Sequence, residues 1–167
     1  MKTVTIVRHA KSAAASIGQN DFERPLNERG LNDAALMAQR MFEKNIIIQQ
    51  FISSPALRAK QTCMAFCNAY QYNPTEVIWV KKLYQAPMEV FTDVVEDLDD
   101  AIDHVAVFAH NPGITQFANH LLGHVALDNM PTCGVLSIAV NINNWKAFAT
   151  AEKQYLFFDF PKNLTDK

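Results

Sequence analysis

Glycine is scarce in this chain: Gly18, Gly30, Gly113, Gly123 and Gly134 are the only five among 167 residues, and they stand far apart. Neither G-x-G-x-x-G nor G-x-x-x-x-G-K-[ST] can be written with them, so dinucleotide and P-loop nucleotide binding are poorly supported. Cysteine is equally sparse. Cys63, Cys67 and Cys133 are too few and odd in number for a disulfide framework, which fits a reducing cytoplasm. No apolar run approaches a membrane span, and the few apolar residues between Met1-Lys2 and Arg8 are too short for a signal-peptide core. The expected setting is soluble and cytoplasmic, where the sequon Asn163-Leu164-Thr165 is idle. Large charge excess is missing as well: a formal net charge of −2 argues against a nucleic-acid or membrane-surface partner. Repeats at solenoid periods and low-complexity tracts are absent.

What is present suits one domain over residues 1–167, since 49% hydrophobic content at this length supports a sizeable core. The charges are unevenly spread. Residues 1–84 carry 11 basic and 6 acidic side chains, and residues 85–167 carry 4 and 11. A local anionic ligand in the basic half would explain this, and so would uneven surface solvation.

Thr3 to Val7 is a β-branched run with too little polarity for a half-solvated strand, and it reads as a strand buried on both faces. It ends in Arg8 and His9. Ligands of open α/β sheets bind outside the carboxyl ends of strands, so a guanidinium and an imidazole there make an anion site with a nucleophile. Taken alone, the same residues are equally a strand that merely ends in polar side chains.

The rest of the chain repeats this pattern. After a loop over residues 13–21 and a turn-rich segment at 22–27, a helix is expected from Leu31, with Leu31, Ala34, Ala35, Ala38, Met41 and Phe42 on its apolar face. Gly30 near its start weakens helix propensity without an evident reason. A strand is expected over 46–52, then a helix with Ser54 as N-cap and Pro55 as first residue, running to Tyr70 and burying Cys63 and Cys67. Arg58 falls beside the positive end of that helix and off its apolar stripe. Residues 77–80 predict a third strand, and a helix starting near Pro87 buries Phe91, Val94, Val95 and Leu98. The acidic residues Asp93, Glu96, Asp97, Asp99, Asp100 and Asp103 read as a solvated face, because the glycine and terminal glutamate of a calcium loop are missing.

Residues 105–109 form a second strand of the first type and also end in a histidine, His110. Asn111-Pro112 is expected to cap the next helix, with Ile114, Phe117, Ala118, Leu121 and Leu122 inside. His120 and His124 have metal-compatible spacing but no third ligand, and read as surface histidines. Strands at 133–141 and 154–160 complete an α/β chain, a sheet covered by helices on both faces.

Arg8, His9, Arg58 and His110 therefore each lie just past a strand. Two arginines can grip one phosphoryl group while one histidine attacks phosphorus and the other stabilises the equatorial oxygens, a phosphoryl-transfer site with no metal and no cofactor.

In the stretches Arg8-His9-Ala10-Lys11-Ser12, Arg24-Pro25-Leu26-Asn27-Glu28-Arg29-Gly30, Ser53 to Thr62, His110-Asn111-Pro112-Gly113 and Pro131-Thr132, the sequence resembles the histidine phosphatase superfamily, and within it the small SixA-like phosphohistidine phosphatases. Ala10 replaces the glycine of the usual RHG motif, as in the SixA-like variant. The resemblance implies a single histidine phosphatase domain over 1–167, folded as a three-layer α/β/α sandwich on a mostly parallel central sheet of the phosphoglycerate mutase type. It implies His9 as the phosphorylated nucleophile, Arg8, Arg58 and His110 as the rest of the catalytic phosphate pocket, and Ser12 and Asn111 as further phosphate contacts. Relatives acting on sugar phosphates carry an acid after the third strand. Here that segment reads Leu83-Tyr84-Gln85-Ala86-Pro87-Met88-Glu89, with an amide at Gln85 and Glu89 already helical. Phosphohistidine in a protein partner is the expected substrate, because its imidazole can leave with its own proton. A phosphatase of small phosphomonoesters, and a phosphate-binding module without turnover, are the alternatives.

Overall fold

The strand β1 (Lys2–Arg8) pairs in parallel with β4 (His104–Ala109), and their register, with Arg8 opposite Ala109, sets the two following histidines side by side. These strands form the centre of the computed structural model, which describes residues 1–123 and 126–164. The sheet has six strands in the order β3-β2-β4-β1-β5-β6, with β2 at Gln50–Ser53, β3 at Ile78–Trp79, β5 at Val135–Val140 and β6 at Lys153–Asp159. β3, β2, β4 and β1 run parallel, whereas β5 and β6 are antiparallel to their neighbours, so the sheet is mixed.

Alternation along β1 and β4 explains the layers. Val4, Ile6, Val105 and Val107 turn to the face covered by α3 (Met88–Glu96) and α4 (Gly113–Leu122), where Phe91, Ile114 and Phe117 meet them. Val7, Ala106 and Phe108 turn to the other face, covered by α1 (Glu28–Glu43) and α2 (Leu57–Tyr70), among Met37, Cys63 and Phe66. A strand that feeds two cores has no room for polar alternation, which is why both runs read as continuously apolar. The result is the expected three-layer α/β/α arrangement.

Several boundaries differ from the sequence reading. β2 begins at Gln50 instead of 46, because the register with β4 starts at Gln50 opposite Val105. β3 shrinks to two residues at the sheet edge. α1 starts at Glu28, one turn early, since Asn27 Oδ1 accepts from Gly30 N at 2.8 Å and caps it. Its buried face is Gly30, Ala34, Met37, Ala38 and Met41, leaving Leu31 and Phe42 about half exposed. Ser54-Pro55 does not cap α2: Ser54 Oγ accepts from Ala56 N at 3.3 Å, but Ala56 is itself non-helical and the helix starts at Leu57. Asn111 does not cap α4 either, for that helix starts at Gly113.

The glycines of the motifs are packing residues. A Cβ on Gly30 would lie 2.0 Å from the Lys11 carbonyl oxygen, and one on Gly113 would lie 1.9 Å from that of Ala86. Each lets a helix start press against a loop of the site. The acidic residues are solvated or tie the opposite end of the sheet, as in Asp97 with Lys146 and Asp103 with the buried Lys2. Among the described residues no group of three potential ligands could hold a metal ion. His120 is exposed on α4, while His124 and Thr165 lie outside the described residues.

Candidate active site

His9 follows β1 directly and keeps its pairing: its backbone N–H donates to Ala109 O at 3.1 Å, and its carbonyl accepts from Cys133 N at 3.1 Å. The side chain is buried at 7% exposure. Its Nδ1 lies 2.7 Å from Ala10 O, which can only accept, so Nδ1 carries the proton and Nε2 holds the lone pair. Burial holds the ring's pKa down to about 4 against the Ala10 bond, and Arg58, Arg8 and Arg24 push the same way. At neutral pH this imidazole is uncharged and nucleophilic.

The ring of His110, after β4, lies 5.2 Å from that of His9 between centroids. Burial, then the neighbouring His9 and Arg58, lower its pKa to about 3. Its Nε2 is 2.7 Å from Ser54 Oγ, and Tyr84 meets its ring edge-on at 5.7 Å.

Three arginines surround the histidines. Arg8 donates from Nη1 to Met130 O at 2.7 Å. Arg58, on the first turn of α2 and 5% exposed, donates to Asp21 O at 2.7 Å and to Asp21 Oδ2 at 3.0 Å. Arg24 donates to Ser12 Oγ at 3.0 Å and to Asp21 Oδ1 at 2.8 Å. The Asp21 carboxylate also accepts from Tyr84 Oη at 2.7 Å, and that bond, with the arginines, holds its pKa at about 2. Arg8 Nε, Arg24 Nε, Arg58 Nε and His110 Nδ1 are all buried without a hydrogen-bond partner among the described residues. Buried donors are ordinarily satisfied, so three such guanidinium N–H groups around the histidines call for an anion with several oxygens.

The motif fragments converge here for local reasons. Gln61 Oε1 accepts from Leu26 N at 2.8 Å, and Asn27 N donates to Lys11 O at 3.0 Å, tying three fragments together. Thr62 Oγ1 accepts from Ala10 N at 3.0 Å while donating to Arg58 O at 2.8 Å, so one hydroxyl links the His9 loop to the Arg58 turn.

Of the residues expected from sequence, Arg8, His9, Arg58 and His110 are brought together. Arg58 is buried in the site, although the helical pattern had only placed it off the apolar stripe. Ser12 joins through Arg24. Asn111 is engaged as a tether: its Oδ1 accepts from Thr115 Oγ1 at 2.5 Å and its Nδ2 donates to Asn129 Oδ1. Thr115 Oγ1 accepts from Met130 N at 3.0 Å, so Asn111 helps hold the segment whose carbonyl grips Arg8. Sequence reasoning gave no role to Asp21, Arg24, Tyr84 or Thr62. Arg24 and Thr62 stood inside the quoted fragments, Tyr84 stood in the quoted segment after the third strand, and Asp21 ended the loop after the first strand, but none of the four was singled out.

Comparison with known proteins gives a consistent account. The model of the histidine phosphatase superfamily (branch 1) matches residues 4–84. An uncharacterised chloroplastic protein of Arabidopsis thaliana is 26% identical over 159 residues, covering 89% of this chain and 71% of its own. The structure of the protein histidine phosphatase SixA complexed with tungstate superposes with TM-score 0.82 at 21% identity, covering 97% of this chain and 99% of that one. A mycobacterial glucosyl-3-phosphoglycerate phosphatase complexed with VO3 superposes with TM-score 0.67 at 14% identity, over 96% of this chain and 100% of that one. At these identities the structural matches speak to the fold, which is shared by proteins named for different substrates.

Proposed function

We propose that this chain, whose residues 4–84 match the model of the histidine phosphatase superfamily and whose fold is SixA-like, is a phosphatase that hydrolyses the P–N bond of phosphohistidine in a protein substrate, through a covalent intermediate on His9. The observation that carries the reaction is the Ala10 carbonyl bound to His9 Nδ1, which leaves a lone pair on Nε2 beside three arginine Nε donors that have no partner among the described residues. His9 Nε2 attacks phosphorus as the P–N bond to the substrate imidazole breaks. That imidazole leaves with the bonding electron pair, its second nitrogen already carrying a proton. Water then attacks phosphorus, the bond to Nε2 breaks, and phosphate departs. Arg8, Arg58 and His110 hold the phosphoryl oxygens in both steps, with Ser12 and Asn111 supporting them through Arg24 and the Met130 segment.

The substrate class rests on the acids. Asp21, at the pocket, is kept ionised by Tyr84, Arg58 and Arg24, so it is a poor proton donor. Gln85 is an amide, and Glu89 is exposed on the first turn of α3. A leaving group that brings its own proton suits this site better than an alkoxide. The charge of the arginines takes the place of a metal ion, so no metal and no cofactor is required. The three cysteines are buried and unbridged, which suits a cytoplasmic setting. A panel of phosphohistidine protein, aryl phosphate and sugar phosphates tests the reading. The highest kcat/KM is expected for phosphohistidine, and a preference for sugar phosphates would replace it with the phosphomonoesterase.

A further inference from the structure

We propose that Ser54 is a positioning residue that fixes the proton of His110 on Nδ1, so that this ring meets the phosphoryl group as a neutral N–H donor. The proposal rests on the reading of the site as a phosphoryl pocket. Its argument is one of hydrogen-bond accounting around a hydroxyl that is 0% exposed. A serine hydroxyl has one proton to give and two lone pairs. One lone pair of Ser54 Oγ accepts from Ala56 N at 3.3 Å, and His110 Nε2 lies 2.7 Å away. If Nε2 bore the proton, Oγ would accept twice and its own buried proton would have no acceptor. His110 Nδ1 would then be a bare lone pair facing anionic oxygens. If the hydroxyl donates to Nε2, each of these atoms is used and the proton must sit on Nδ1, which is buried without a partner among the described residues.

The two histidines are then complementary. Both carry the proton on Nδ1, but His9 spends it on the Ala10 carbonyl and offers the lone pair, whereas His110 has its lone pair capped by Ser54 and offers the proton. Either ring in the other tautomer would reverse its part. Burial and the nearby cations keep His110 uncharged at neutral pH, which makes its tautomer the quantity that matters.

The test is a two-bond proton–nitrogen NMR correlation on the unliganded, histidine-labelled protein at pH 7, which reads the tautomer without substrate. His110 is expected as the Nδ1–H form in the native protein, shifting to the Nε2–H form or a mixture in Ser54→Ala. With aryl phosphate, kcat for Ser54→Ala should fall on the order of 10²-fold, the usual effect of losing one charge-stabilising donor, with KM changed far less. Ser54→Thr keeps the hydroxyl and should keep both the tautomer and most of the rate. A native Nε2–H form, or a Ser54→Ala protein with unchanged tautomer, overturns the proposal. Should Ser54→Ala fail to fold, the native spectrum and Ser54→Thr still decide. A native protein with the Nδ1–H form but no phosphatase activity would remove the proposed function and leave the tautomer assignment standing.

Discussion

Arg58 spends two donors on a single residue, Asp21, reaching its carbonyl at 2.7 Å and its carboxylate at 3.0 Å. The carboxylate is shared with Arg24 and Tyr84, so one negative charge sits among the cations that the site offers to phosphate. It orders Arg58 and also opposes an incoming anion. Asp21→Asn keeps a hydrogen-bonding side chain and removes the charge. Inorganic phosphate should then inhibit more strongly, by about fivefold, since a partly exposed charge at this range contributes roughly 1 kcal/mol. The measurement is competitive inhibition of aryl phosphate hydrolysis; an unchanged or weaker inhibition constant would show that ordering of Arg58 outweighs the repulsion.

His9 should become phosphorylated during turnover. Rapid quench with labelled substrate is expected to trap an adduct that is labile in acid and stable in alkali, absent from His9→Ala. The same preparation should retain its activity after exhaustive chelation, because Arg8 and Arg58 carry the charge. Normal turnover in His9→Ala would remove the covalent route, and activity restored by one divalent ion would remove the metal-free one.

The buried histidines set an acid limit on stability. His9 and His104 are held down to about 4 and His110 to about 3, from an ordinary value of 6.5, mainly by burial. The unfolded chain therefore binds more protons below pH 6.5 than the folded one. Stability is complete above that pH and is lost as pH falls toward 4 and then 3, by up to ~1.4 kcal/mol per pH unit for each histidine. The part contributed by Asp21 has the opposite origin, a lowered carboxylate pKa, and is lost only further down, between about 4 and about 2. His104, bonded to Thr5 at the end of β4 away from His9 and His110, separates stability from the proposed activity. Thermal unfolding of His104→Gln from pH 8 to 4 should show a slope smaller by about one proton's worth. An equal slope would mean that His104 takes up its proton in the fold at the same pH as in the unfolded chain.

Gly113 tests how closely the pocket depends on one approach. A methyl group there meets the Ala86 carbonyl at 1.9 Å and must push α4 away from the 84–87 segment that carries Tyr84. Gly113→Ala should cost about 1–3 kcal/mol of stability and lower kcat/KM, although alanine is the better helix former. A stabilised and fully active Gly113→Ala would mean that the segment yields freely.

The central strands, with Arg8, His9 and His110 at their ends, were legible because each needed only local information: an unbroken apolar run for a strand covered on both faces, then a polar residue at its end; Arg58, on the first turn of α2, was placed by the family resemblance instead. Gly30 was not, since its reason is the Lys11 carbonyl, from a loop whose path the sequence does not reveal. Ser54-Pro55 misled, because a cap motif read alone cannot show that the backbone is still non-helical at Ala56, so that α2 begins only at Leu57. The contact between Asp21 and Tyr84 was invisible for a similar reason. They meet across 63 positions of sequence, and neither stands in a pattern that a single strand or helix would require.

The leaving group is the sharpest test of the substrate assignment. General acid catalysis is typically worth about 10²–10⁴-fold and matters most when the departing atom is strongly basic. With Asp21 held ionised and Gln85 an amide, rates should fall steeply as the leaving group becomes more basic, so that phosphohistidine and aryl phosphates are cleaved and sugar phosphates hardly at all. Glu89 is the residue that a substrate could recruit instead, being exposed at the start of α3 next to the Gln85–Pro87 turn. Glu89→Gln is therefore expected to leave phosphohistidine hydrolysis nearly intact. If that variant stays folded but loses turnover, Glu89 donates the proton, and an alkoxide leaving group becomes the better account of the site.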